Sequence, residues 1–194
     1  MPAGGTGLVL RGLRKEPATI GKWHLGWDLT YKEGKAKTVD NIDFTKRVAN
    51  GPTDRGFDYF YGLTSPSGPP HLYMVNDMAE KQPNTRFEES GGGLYKIKGG
   101  IGHSDWSADG MQPHLADKML EYLDENKDSD KPFFLYMALT APHIPLFPSK
   151  EFKGKSKIGD YGDLVMMIDD IVGRVNRKLK EIGKYDNTIV MFAA

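Results

Sequence analysis

The residues Pro132-Phe-Phe-Leu-Tyr-Met-Ala-Leu139 form an unbroken apolar run, the strongest constraint on the fold in this chain. A run this short and this uniform reads as a strand buried on both faces of a parallel sheet. It is too short to cross a membrane. Tyr161, Leu164, Val165, Ile168, Ile171, Val172, Val175, Leu179 and Ile182 follow at spacings of one, three and four. That period predicts an amphipathic helix, and Gly183 stands where a helix prefers glycine just past its last turn. Leu115, Met119, Leu120 and Leu123 place a second helical face over His114–Asn126. After the turn Lys184-Tyr185-Asp186, residues Thr188 to Phe192 read as another apolar strand. Helix, strand, helix, strand with long connections predicts an α/β fold with a mainly parallel sheet flanked by helices.

The first half is less regular. Residues 1–16 are rich in Gly and Arg with no clear period, and Ala18-Thr19-Ile20 is a short candidate strand running into Gly21. From Asp28 to about Pro113 the sequence is loop-like, with turn signals at Asn50-Gly51-Pro52, Ser67-Gly68-Pro69-Pro70 and Gly91-Gly92-Gly93. The aromatic cluster Phe57, Tyr59, Phe60 and Tyr61 argues that part of this stretch is packed. An apolar content of 39% over 194 residues suits a single domain with a real core. With 26 basic and 26 acidic residues, nothing steers the chain towards nucleic acid or an anionic membrane. No cysteine is present, so disulfides and thiolate metal sites are excluded. The opening residues lack a basic flank before an apolar core and do not read as a secretory signal, so any export signal is expected upstream.

In parallel α/β folds, ligands bind outside the carboxyl ends of the strands. Three places fall under that rule: after Ile20, after Leu139 and after Phe192. Lys22 and His24 lie two apart between Gly21 and Gly26, so in extended chain an ammonium and an imidazole face one site. That pair suits sulfate or phosphate; a solvated lysine beside a turn-capping histidine fits the spacing too. His143, between Pro142 and Ile144-Pro145, is either a donor to a charged substrate or a buried histidine bonded to a carbonyl. His71, His103 and His114 have no partners at metal-ligand spacing and read as surface or structural. Asp169 and Asp170 read as helix-surface carboxylates, and no Walker loop or GxGxxG supports nucleotide binding.

Four segments, in order, resemble sulfatases of the arylsulfatase type, which are formylglycine-dependent members of the alkaline-phosphatase superfamily. Ile20-Gly-Lys-Trp-His-Leu-Gly26 looks like that family's second signature, and Gly51-Pro-Thr-Asp-Arg-Gly-Phe-Asp-Tyr-Phe-Tyr-Gly62 is similar to the segment following it. Pro132 through Pro145 resembles the strand and loop that carry an active-site histidine. Tyr161 through Phe192 is like the helix and strand leading to the metal site. The resemblance covers roughly residues 17 to 192. It implies a partial alkaline-phosphatase-like domain over 17–194, with 1–16 as an irregular segment poorly matched to the family.

The resemblance also implies a mechanism. A cysteine or serine converted to formylglycine forms a hydrated aldehyde beside a calcium ion; one hydroxyl attacks sulfur, and the alcohol leaves. Lys22 would hold the sulfate and the leaving oxygen. His24 would contact the formylglycine hydroxyl, and His143 would bind sulfate or protonate the leaving group. Ser65 is the match for a polar substrate-binding residue, with Ser67 as its rival. The implied partner is a sulfated carbohydrate or aryl sulfate, and the implied location is periplasmic, secreted or lysosomal. The family's Cys/Ser-x-Pro-x-Arg segment, its upstream aspartate pair and its Ser-Asp-Asn-Gly are not found here. The chain therefore reads as a fragment, and neither calcium, which takes six to eight oxygens, nor formylglycine is supported by residues present. It is expected to bind no calcium at this site, to turn over no sulfate ester, and to be poorly soluble or only partly folded on its own. A phosphodiesterase or phosphonate hydrolase of the same superfamily, and a non-catalytic binder of sulfated glycans, are the alternatives. Tyr73, Tyr95 and Trp106 fit either sugar stacking or core packing.

Overall fold

Ala18-Thr19-Ile20, the least conspicuous of the expected strands, lies at the heart of the sheet. The structure, a computed structural model, describes residues 16–65 and 68–193. In chain order its elements are strands β1 (Glu16–Lys22), β2 (Tyr59–Leu63), β3 (Met74–Val75), β4 (Met78–Ala79), β5 (Thr85–Phe87) and β6 (Gly100–Gly102). Helix α1 (Met111–Glu125), strand β7 (Phe133–Ala138) and helix α2 (Asp160–Glu181) complete the set. The main sheet has the order β4-β3-β2-β1-β7. β1 runs parallel to both β2 and β7, while β3 and β4 add antiparallel strands beyond β2. β5 and β6 form a separate antiparallel pair. This is the mainly parallel α/β architecture that the sequence predicts. Of residues 1–16 only Glu16 is described, and it opens β1.

Both helices cover one face. Met111, Leu115, Ala116, Met119 and Tyr122 of α1 and Leu164, Met167 and Ile171 of α2 pack with Ala18, Ile20, Tyr61 and Leu63 into one core. The recurrence at three and four residues puts these side chains on one stripe of each helix. The opposite face is covered by chain from Trp23 to Phe57: Trp23, Ile42, Phe44, Val48 and Phe57 meet Phe60 of β2, Leu72 and Met74. The two-residue alternation of a strand sends Tyr61 and Leu63 to the helical side and Phe60 to the other. α2 begins with Asp160 and Asp163 and ends with Lys178 and Lys180, each sign at the end that the helix dipole favours. Past its end, Gly183 takes a φ of 69°. The Lys184 N–H then reaches the Leu179 carbonyl at 2.9 Å and the Gly183 N–H reaches that of Lys180 at 3.1 Å, a complete Schellman closure.

Three expectations are corrected. The loop-like stretch from Asp28 to Pro113 holds β2 and four further short strands, because pairing with β1 makes a strand of the aromatic cluster. β7 is not buried on both faces. Among the described residues it pairs only with β1 and so forms an edge, and Tyr136 on it is 52% exposed. Residues Thr188 to Phe192 form no strand: after a 3-10 turn at Tyr185–Asn187 the segment finds no pairing partner among the described residues, and Ile189 is 87% exposed. An apolar run becomes a strand only where an edge is available to hydrogen-bond it.

Candidate functional site

The carboxyl ends of β2, β1 and β7 lie side by side, because β1 is parallel to both neighbours. At this edge the three backbones come unusually close around Gly21, which pairs with Gly62 on one side and Ala138 on the other. A Cβ on Gly21 would sit 2.0 Å from the Ala138 carbonyl oxygen, and one on Gly62 would sit 1.7 Å from that of Gly21. Gly21 also has a φ of 130°, which side-chain-bearing residues rarely adopt. The glycines thus let three parallel strands end side by side, with Lys22 closing β1 and His24, Ser65 and His143 following β1, β2 and β7 in sequence.

Lys22 is the last residue of β1 and is half-buried; desolvation holds its ammonium below the ordinary lysine range. Trp23 continues the strand direction by donating its N–H to the Leu63 carbonyl at 3.0 Å. Its indole is buried against Phe57 and donates to the Gly26 carbonyl at 3.1 Å, fixing the turn that displays His24 on the surface. Among the described residues, Lys22 and His24 make no side-chain hydrogen bond with each other. Ser65 is half-buried and its hydroxyl accepts from the Gly68 N–H at 3.2 Å. Ser67 lies outside the described residues. His143 is exposed, and its Nδ1–H donates to the Ile144 carbonyl at 2.5 Å. That contact leaves Nε2 as the nitrogen able to meet a ligand, either as an acceptor or, once protonated, as a cationic donor.

Two supports were not foreseen. Gln112 on α1 is fully buried against the start of the His143 loop. With its amide oxygen turned to the loop it accepts from the backbone N–H of Thr140 at 3.0 Å, that of Ala141 at 2.5 Å, and the Thr140 hydroxyl. No sequence signal marks it, since the apolar period places the helix start at His114. Asp163 is buried in the first turn of α2 and accepts the N–H groups of Gly154 and Ser156, each at 2.6 Å. An acidic residue in a first turn behind Ser156 and Gly159 is a readable helix-start signal.

The remaining histidines are structural. His71 is buried between Phe87 and Trp106 with Nε2 on the Lys98 carbonyl at 2.7 Å, and burial lowers its pKa. The Nε2–H of His114 donates to the Tyr61 hydroxyl at 2.7 Å, which in turn donates to Glu80 at 2.8 Å. His103 lies beside Asp105. Of the three aromatics that fit sugar stacking, Tyr73 and Trp106 belong to the core, and Tyr95 is exposed. Among the described residues no three His, Cys, Asp or Glu side chains cluster to hold a metal ion. These residues alone do not make the oxygen cage that calcium needs.

A lysine, a hydroxyl and imidazoles thus follow adjacent strand ends of a parallel α/β edge, and these residue types suit an anionic group. The chain belongs to the sulfatase family, whose family model matches residues 9–194. It is 30% identical over 190 residues to N-acetylgalactosamine-6-sulfatase of Sus scrofa, covering 96% of this chain and 31% of that relative. In fold it is similar to a Bacteroides thetaiotaomicron protein solved in connection with the metabolism of multiple glycosaminoglycans, with a TM-score of 0.71 and 21% identity. That match covers 92% of this chain and 42% of the other. It is similar as well to Ps i-CgsB in complex with k-i-k-neocarrahexaose, with a TM-score of 0.60 and 19% identity over 93% of this chain and 37% of the other. The chain thus spans about a third of the length of the curated relative it matches.

Proposed function

We propose that these residues form the sulfate-holding part of a sulfuric ester hydrolase site acting on a carbohydrate or aryl sulfate. The observation that carries this reading is the convergence of Lys22, Ser65 and His143 at the ends of three adjacent parallel strands. Membership of the sulfatase family and a relative named for a 6-sulfated sugar support it. Lys22 supplies a fixed positive charge to the sulfate and to the oxygen that leaves; its partial burial strengthens that contact relative to one in open water. Nε2 of protonated His143 donates to a sulfate oxygen or to the leaving alcohol, with Nδ1 committed to Ile144. His24, displayed by the Trp23 turn, would contact the formylglycine hydroxyl, and Ser65 offers a neutral donor. The nucleophile is formylglycine and the metal is calcium in this reading, and both belong to residues other than those described.

The reading has two tests. Titrating inorganic sulfate into the chain should show binding that weakens about tenfold in Lys22→Ala, roughly the worth of one charge-assisted contact. Unchanged affinity in that variant overturns the assignment. The 194-residue chain should release no phenol from 4-nitrophenyl sulfate; measurable release by the pure chain overturns the division of labour.

A further inference from the structure

The loop that carries His143 runs on into a cavity of about 390 Å³, within the range of small-molecule sites at roughly 300–1,000 Å³. Tyr95, Phe147, Lys150, Lys153, Asp109 and Asp160 line it. The rings of Tyr95 and Phe147 meet at 81° with centroids 6.2 Å apart, forming an apolar corner. Tyr95 is 41% exposed, so its ring is presented rather than packed away. The Leu146 N–H donates to the Leu94 carbonyl at 2.8 Å and joins the two walls. Asp163 holds the N–H groups of Gly154 and Ser156 and fixes the segment that leaves the third wall.

The charges in the cavity are unequally committed. Asp160 sits in the first turn of α2, where the helix dipole favours an acidic side chain, and accepts the Tyr95 hydroxyl. Lys150 and Lys153 are exposed and, among the described residues, neither has an ion-pair partner. A ligand for this site therefore carries an apolar face for the ring corner, hydroxyls for the two carboxylates and an anion for the two ammoniums. A sulfated pyranose carries all three. Phe147 lies four residues past His143, so their Cα atoms are no more than about 14 Å apart, within the reach of a short oligosaccharide.

We propose that this cavity is a subsite for a second sulfated sugar unit, in an oligosaccharide whose reacting sulfate ester lies against Lys22 and His143. The inference rests on the sulfate-binding reading of that edge, and it selects sulfated oligosaccharides over simple aryl sulfates. The test is calorimetric titration of the chain with three probes: N-acetylgalactosamine 6-sulfate, a chondroitin 6-sulfate tetrasaccharide and the unsulfated tetrasaccharide. Both lysines are on the surface, so Lys150→Ala/Lys153→Ala leaves the fold intact. The double variant should bind the sulfated tetrasaccharide about tenfold more weakly, while its affinity for the monosaccharide stays within about twofold. The unsulfated tetrasaccharide should bind wild type no better than it binds the double variant. Equal affinity of wild type and double variant for the sulfated tetrasaccharide, or failure of wild type to bind it, overturns the subsite. Lys22→Ala decides the underlying reading separately: if it keeps full affinity for the monosaccharide, the edge is not a sulfate site, and the comparison at Lys150 and Lys153 still decides the cavity.

Discussion

Gly21 shows how narrowly one residue can be specified. Its φ of 130° excludes side chains on conformational grounds, and the Ala138 carbonyl 2.0 Å from the position of a Cβ excludes them on steric grounds. The obstacle is backbone in a neighbouring strand, so it cannot swing aside as a side-chain tip would. Gly21→Ala should cost about 3 kcal/mol, the upper end for overpacking, read as a drop in the urea midpoint with unchanged slope. A loss under about 0.5 kcal/mol, ordinary for a surface change, would show that the strands can part there. His114 and His71 set a second prediction at this scale. Burial lowers both pKa values below the usual 6.5; around His114, Glu80, Asp117 and Glu121 pull its pKa upward and Lys118 pushes it down, but desolvation is the largest effect. A base with a depressed folded pKa stays neutral when folded, and the unfolded chain takes up the proton first. The stability it contributes is therefore full above about pH 6.5 and is lost as pH falls towards the folded value. Stability should decline as pH falls below about 6.5, and His114→Gln should make that decline shallower. An identical slope in the variant removes His114 from the account.

The elements depend on buried polar clamps as much as on their apolar stripes. Asp163 answers two N–H groups at once from inside the core. Asp163→Ala leaves both donors without a partner in a dry place, at a cost of roughly 2–4 kcal/mol for charge-assisted bonds. Amide exchange should accelerate at Gly154 and Ser156 well before the centre of α2 responds; uniform acceleration along the helix would assign Asp163 to global stability instead. Gln112→Ala should likewise free Thr140 and Ala141 and loosen the His143 loop, for about 2 kcal/mol. These clamps mark the limit of what the sequence discloses. α2 was legible nearly to the residue, because its period, its charged ends and its Gly183 closure are all local. β1 and the loops bearing Lys22 and His143 were legible from their apolar runs and from motifs. β2 was not, since its identity as a strand comes from pairing with β1 across the intervening chain. The reverse holds at Thr188–Phe192, where local pattern predicted a strand and no neighbour is there to make one. Gln112 is silent for the same reason: its partners lie in a distant loop, and no spacing announces them.

At the scale of the whole molecule, the sheet is closed on one flank and open on the other. Beyond β2 the strands β3 and β4 shorten and turn antiparallel, a common way to blunt an edge. Among the described residues β7 has no such cover: it pairs only with β1 and presents Tyr136. The 189–192 segment adds Ile189, Val190, Met191 and Phe192 as exposed apolar side chains, with Met191 at 81%. An unpaired apolar edge together with an unpaired apolar segment favours association over solvation, because each supplies hydrogen-bonding groups and nonpolar surface that the other lacks. The chain should therefore self-associate with concentration, visible as a rising mass by light scattering between about 5 and 100 µM. Met191→Lys/Phe192→Lys adds charge where the structure buries nothing, so it should lower the associated fraction without altering helix content. If association persists unchanged in that variant, the β7 edge alone drives it, and Tyr136→Lys should then suppress it. A monomer at every concentration in the unaltered chain would mean that the open flank is better solvated than its exposed side chains indicate, and the expectation of poor solubility would fall with it.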